Sequence, residues 1–461
     1  MTPQVSITDE LDNVPDRSHP PALWYLATSE GCERFSYYGM QTLLVLYMAE
    51  YLFKENRSQA VFGFGSFERG LEFIYGSLSP AALASITFGL YSSFVYLTPI
   101  VGGLIADRLI GRTRTILIGA ILMVFGHFAM AIEPLFLLAL FLLLVGTGCF
   151  KGNIASQLGS LYKPDDPRRS RAFQVFYLGI SVGAILAPLI CGTLGEVFGW
   201  HYGFAAAGIG MVIALAIYLS AKGRIAETSS SDDLACERIE LSAIKTPSSK
   251  KQILIILMLL PVLSLMAVPN QQIFNAYLLW GKSNYDFQIF SMTIPVTWLI
   301  SLDAIATVAF LGLSVGGWKI YSRYFTEPQD TTKIILSGVV TMAAFLLLAI
   351  ISSISPNGGV SLGWAILFHA INSLAFANMV PVSLSLFTRM APVSLGATTV
   401  GIYYVHLFVA NNVVGWLGGF LEVLAPAQFW LLHVGIAAAG TIGVILWSVL
   451  ARSSGKSATP A

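Results

Sequence analysis

Six residues in one short stretch, SEGCERFSYYGMQ (residues 29–41), carry most of the chemistry in this sequence: Glu30, Glu33, Arg34, Tyr37, Tyr38 and Gln41. Their spacings of three and four put all six on one stripe of a helix. Glu30 precedes Arg34 by four residues, the favoured order for an ion pair. The flanks, PPALWYLAT and TLLVLYMAEYLF, are almost wholly apolar, so the stripe belongs to a helix built for lipid. A charge at the bilayer centre costs at least about 2.5–3.5 kcal/mol, and three on a lipid-facing stripe are untenable. The stripe must face a water-filled cavity or partner charges inside a bundle. An ion-pair network that only fixes helix packing meets the same constraint, but ionisable residues inside a membrane mark pathways by default.

A second buried charge, Lys151, lies in LLLVGTGCFKGNIASQLGSLY. A lysine at such depth needs an anion, and Glu30 and Glu33 are the candidates by chemistry. Two carboxylates that compete for two cations can exchange partners when one takes a proton, which is the requirement for proton coupling. The glycines around Lys151 invite a phosphate-loop reading, but the G-x-x-x-x-G-K-[ST] spacing is absent. His127, His201, His369, His406 and His433 lie in or near apolar runs without metal-ligand spacing, and read as packed or interfacial residues. His369 and Asn372 are the exceptions most worth weighing. The four cysteines are scattered and indicate neither disulfide framework nor zinc site. No metal, cofactor or catalytic constellation is expected, so an enzyme is not the reading.

The elements that must position these residues follow from composition. Of 461 residues, 55% are hydrophobic and 11% charged, with mean hydropathy +0.72. That charge fraction is under half the globular norm of about 25%, so the chain reads as a polytopic membrane protein. Its net charge of +1 gives no indication of nucleic acid. Twelve stretches are long and apolar enough to span, at 22–52, 80–107, 113–133, 135–162, 171–197, 201–221, 252–281, 292–322, 332–354, 361–389, 395–424 and 426–451. A polar tail (1–21) precedes the first six-helix bundle (22–221). A serine-rich, charged linker (222–251) leads to the second bundle (252–452) and a closing tail (453–461).

Lysine and arginine gather in the loops after even-numbered spans: Arg108, Arg112 and Arg114, then Lys163, Arg168, Arg169 and Arg171, then Lys319, Arg323 and Arg389. The positive-inside rule therefore puts those loops, the linker and both termini in the cytoplasm. Lys54, Arg57, Arg69 and Lys282 are the exceptions. PIVGGLIADR closes the second span and LSVGGWKIYSR the eighth, an echo between halves that matches the repeated bundles of a major facilitator transporter.

The pattern E-x-x-E-R-F-x-Y-Y on the first span resembles the signature of the proton-dependent oligopeptide transporter (POT) family. GLYSSFVYLTPIVGGLIADRLIGR, GTGCFKGN, DDPRRSRAFQVFYLGISVGAILAP, IPVTWLISLD and PVSLSLFTRMAP agree with it, so the resemblance covers nearly all of the chain. It implies an all-α major facilitator fold of twelve helices in the cell membrane. It also implies inward proton symport of di- and tripeptides by alternating access, driven by the proton gradient without a cofactor, and a functional monomer. By position, Glu30 and Glu33 are then the proton-linked acids with Lys151 as partner. Arg34 and Lys151 receive the peptide carboxylate, and Tyr37, Tyr38 and Tyr96 line the cavity. Asp107, Arg108 and Arg112 belong to the cytoplasmic gating motif, although positive-inside anchoring explains the arginines equally well.

Four positions depart from the family pattern. Its fifth-span asparagine is Ser181, its tenth-span glutamate falls on Phe376, and its eighth-span asparagine is Asp303. The arginine of an outer-gate ion pair is Gln41, and that pair's acid falls within Asn270–Gln272; the two are lost together, so no buried charge is orphaned. Ser181 and Asp303 thus stand at the end of the site expected to hold the peptide amino group, where a carboxylate has moved from the tenth span to the eighth. A transporter of another amphoteric small molecule remains the alternative.

Overall fold

The structure, a computed structural model, describes residues 18–54, 57–163, 166, 168–221, 223, 247–391 and 398–453. Most of the two tails and most of the linker expected at 222–251 lie outside the described residues.

The first span is a 26-residue helix, Ala22–Tyr47, continued by a π-helical turn at Met48–Leu52. The other helices of the first half are Pro80–Ile105, Arg112–Ala129, Phe136–Gly159, Arg168–Ala187 and Trp200–Ala221. Those of the second half are Pro247–Gln271, Trp298–Tyr321, Asp330–Ile354, Leu362–Met390, Thr398–Gly418 and Pro426–Ser453. Among the described residues, eleven helices are long and apolar enough to cross a membrane. The first-span helix has the length but carries Glu30, Glu33 and Arg34, and with it the count agrees with the twelve expected from the sequence. The chain is an all-α, multi-pass membrane protein.

Two boundaries differ from expectation. The seventh span breaks at Gln272–Asn275 and resumes as a short helix, Ala276–Asn284. The eighth begins at Trp298 and not near 292: Gln288–Ile289 pairs antiparallel with Met292–Thr293, turning through Phe290 and Ser291 at positive φ. Apolar residues run through this stretch, so hydropathy alone does not separate it from the helix; Pro295 disfavours helix at the residue before it. A 12-residue amphipathic helix, Phe64–Tyr75, also occupies the long first loop.

The first span lies in a groove between the fifth and sixth, against which it packs along its length. Glycines permit the approach: a Cβ on Gly183 would lie 2.4 Å from the Gly31 carbonyl oxygen. The second span crosses the eleventh, where a Cβ on Gly89 would lie 2.5 Å from Gly415 Cα. The fifth span meets the eighth.

Polar links between the halves gather at the end bearing the loops after odd-numbered spans. Glu50 pairs with Lys282, and Ser79 with Glu422. The Glu196 carboxylate accepts from the backbone N–H of Val296 (3.0 Å) and Thr297 (2.9 Å) and from the Thr297 hydroxyl (2.6 Å). Those amides are orphan donors at the start of the eighth span, where the helix dipole also favours an anion. Trp298 Nε1 donates to Thr193 Oγ1 at 2.9 Å, and Ser301 to the Ile185 carbonyl at 2.7 Å.

Hydrogen bonds to a charged group contribute about 1.5–3 kcal/mol each, so Glu196→Ala is expected to open this end. Spin labels at Phe73 and Phe290, both exposed, should show a longer-distance population at least about tenfold larger, roughly 1.4 kcal/mol. An unchanged distance distribution would mean that the other contacts suffice to close the end.

Candidate functional site

The first-span stripe is buried within the bundle. Glu30 is 2% exposed, Glu33 0% and Arg34 3%, values that exclude a lipid-facing placement. Arg34 Nε lies 3.1 Å from Glu30 Oε1 and 2.5 Å from Glu33 Oε2. Both carboxylates therefore converge on one nitrogen. Glu30 Oε2, Glu33 Oε1 and Arg34 Nη2 are buried with no hydrogen-bond partner. Buried polar groups are ordinarily paired, so three unpaired atoms on one charge cluster make it the candidate site. They can hold protons on the carboxylate oxygens and an anionic group on the guanidinium.

Lys151 stands apart from this cluster. Its ammonium lies 5.1 Å from the centre of the Tyr96 ring, and among the described residues no carboxylate pairs with it. The structure thus gives both acids to Arg34 and rests Lys151 on an aromatic face. Tyr37 lies under the Arg34 guanidinium at 5.2 Å and packs edge-on against Tyr38 at 5.3 Å.

These side chains meet the second half at mid-bundle. Tyr38 stacks on Phe274, Tyr96 stacks on Tyr404, and Gln271 Nε2 lies 3.5 Å from the Tyr96 hydroxyl. Sequence reasoning missed Phe274, Gln271 and Tyr404. Gln271 lay inside a segment noted for lacking an acid, but an aromatic in an apolar run carries no signal of its own.

The remaining expected residues fall elsewhere. Ser181 donates to the Tyr177 carbonyl of its own helix at 3.0 Å, so its hydroxyl is engaged locally. Asp107 pairs with Arg112 at 3.3 Å at the turn between the second and third spans, and Arg108 sits in the same π-helical turn, Ala106–Ile110. Asp303 Oδ1 lies 2.9 Å from His369 Nδ1, and His369 Nε2 lies 3.1 Å from the Tyr277 hydroxyl. One turn on, Thr307 meets Ser373 at 3.3 Å, so Asp303 lies on the interface of the eighth and tenth spans. Asn372 is buried with its Nδ2 unpaired.

The position expected to lack the outer-gate arginine is also accounted for. Gln41 is buried with its Oε1 unpaired and makes no ion pair among the described residues. The charge link between these two spans lies nine residues further along the first, at Glu50 with Lys282.

Residues 113–244 match the model of the POT family. The chain is 26% identical over 491 residues to the uncharacterized transporter YclF of Bacillus subtilis, covering 94% of each chain. It is 27% identical over 499 residues to a di-/tripeptide transporter of Lactococcus lactis subsp. cremoris, again covering 94% of each. A crystal structure of the peptide transporter POT in complex with sulfate superposes with a TM-score of 0.79 at 22% identity, covering 97% of this chain and 98% of that one. That likeness is one of fold.

Proposed function

We propose that this chain, which belongs to the POT family, is a proton-coupled symporter importing di- and tripeptides across the cell membrane by alternating access. The observation that carries the reading is the buried Glu30–Glu33–Arg34 cluster with three unpaired polar atoms. The likeness to a di-/tripeptide transporter over 94% of the chain supports it. In this reading the peptide carboxylate binds Arg34 and Lys151, and a proton on Glu30 or Glu33 frees the guanidinium for it. Tyr37, Tyr38 and Tyr96 wall the cavity, while Asp107, Arg108 and Arg112 act at the cytoplasmic gate. The proton gradient supplies the energy, no cofactor or catalysis is involved, and a monomer suffices.

Purified full-length chain in proteoliposomes should accumulate members of a mixed dipeptide pool only under an inward proton gradient. Failure of every dipeptide to respond to the gradient overturns the reading.

The amino end is assigned to Asp303, which has one carboxylate oxygen engaged by His369. A zwitterion in a low-dielectric cavity needs a counter-charge at each end. N-acetylated dipeptides should therefore compete poorly against the parent, and lose that disadvantage in Asp303→Asn while free dipeptides are transported more weakly. Equal transport of free dipeptides by Asp303→Asn would remove Asp303 from the substrate site.

A further inference from the structure

Asp303, His369, Tyr277 and Tyr285 form a continuous hydrogen-bonded chain in the second half. Asp303 Oδ1 and His369 Nδ1 are 2.9 Å apart, His369 Nε2 and the Tyr277 hydroxyl 3.1 Å, and the Tyr277 and Tyr285 hydroxyls 3.4 Å. The His369 side chain is fully buried, and that of Asp303 is 14% exposed. Phe368 packs beside the imidazole and against Phe345, while Trp430 packs against Tyr277. On the twelfth span His433 is turned to Gln272 and the Phe429 carbonyl. Asp303, Tyr277 and Tyr285 are thus the titratable groups facing His369 from the eighth and seventh spans.

The chain accommodates the imidazole in both protonation states. When neutral, Nδ1–H donates to Asp303 and Nε2 accepts from Tyr277, whose oxygen accepts from Tyr285. When a proton binds at Nε2, both ring N–H groups donate, and Tyr277 turns its own hydrogen to Tyr285. In both states each ring nitrogen keeps a hydrogen-bond partner, Asp303 at Nδ1 and Tyr277 at Nε2. Among the described residues of the spans, those at least five residues from a helix end give three carboxylates, Glu30, Glu33 and Asp303, against two cations, Arg34 and Lys151. A zwitterionic peptide leaves that imbalance unchanged, and one proton, on His369 or on a first-span glutamate, removes it. Uncompensated charge is costly in such an interior.

We propose that Asp303 and His369 form a second proton-binding site, separate from the first-span glutamates, which loads one further proton in each transport cycle. Its part in transport rests on the symport reading; its existence does not.

The test uses full-length protein with 15N-labelled histidine in lipid nanodiscs, without substrate. The imidazole resonances lost in His369→Gln should titrate between about pH 5 and 8 in the parent. In Asp303→Asn their midpoint should fall by at least about one pH unit, because the counter-charge is gone. Tyr277→Phe, nearly isosteric, should shift it down by less and keeps the test open should His369→Gln fail to fold. A ring that stays neutral across this range, or a midpoint indifferent to Asp303→Asn, overturns the site. In proteoliposomes the proton-to-dipeptide ratio from reversal potentials should drop by one in His369→Gln, with Glu30 and Glu33 intact. An unchanged ratio overturns the coupling. A parent that takes up no dipeptide sinks the symport reading, while the imidazole titration still decides the site.

Discussion

Lys151→Ala is expected to abolish gradient-driven accumulation of dipeptide while leaving counterflow measurable. In the structure both first-span acids are bound to Arg34, and Lys151 rests over Tyr96 with no carboxylate partner among the described residues. That is one endpoint of the proposed exchange. When the peptide carboxylate takes Arg34, a displaced glutamate needs either a proton or the Lys151 ammonium. Without Lys151 the displaced acid must keep its proton, because an uncompensated buried charge costs several kcal/mol. Proton release, and with it net accumulation, then stops. Counterflow needs binding and reorientation but no net proton movement, so it survives. Accumulation ratios in proteoliposomes should fall at least about a hundredfold, corresponding to roughly 2.8 kcal/mol. Normal accumulation by Lys151→Ala would refute charge exchange as the coupling mechanism.

Glu33→Gln is expected to flatten the pH dependence of transport between about pH 5 and 8 and to reduce accumulation at least about tenfold. Glu33 is fully buried, with Oε2 on Arg34 and Oε1 unpaired. Glutamine keeps the shape and the acceptor to Arg34 but fixes the site in its protonated-like state. Raising pH then no longer restores the competing anion, so the alkaline fall in uptake expected of the parent should disappear. Glu30→Gln is the paired measurement, since Glu30 holds the same guanidinium nitrogen at 3.1 Å. An unchanged pH profile in both variants would take these acids off the proton path.

Periodicity and hydropathy made the helices legible, and the first-span stripe was legible because charge inside an apolar run has few affordable placements. Its partners were less so. Pairing Lys151 with Glu30 and Glu33 was sound chemistry, but Arg34 shares their helix and wins by proximity, at spacings of one and four residues. Asp303 stood out as a departure on the eighth span, and His369 separately, as a histidine near the missing glutamate of the tenth. The contact between them depends on the register of two helices 66 residues apart in sequence, which no local pattern encodes. Glu196 was invisible for a related reason: its partners are backbone amides of Val296 and Thr297, and a backbone donor leaves no trace in residue type. The ribbon before Trp298 was read as helix because its apolar content satisfies either structure.

The crossing of Gly89 on Gly415 has the geometry of a fulcrum with unequal arms. At 1.5 Å per residue, the second-span helix extends about 14 Å from Gly89 to Pro80 and about 24 Å to Ile105. The clamp of Glu50, Glu196 and Glu422 with their partners lies at the short arm's end. Tilting about the crossing therefore multiplies travel by roughly 1.7 from the short arm to the long one. An opening of about 3 Å, enough to part the clamp's hydrogen bonds, sweeps the far end through about 5 Å. On that geometry, a few tightly held contacts at one face would govern a larger movement at the other.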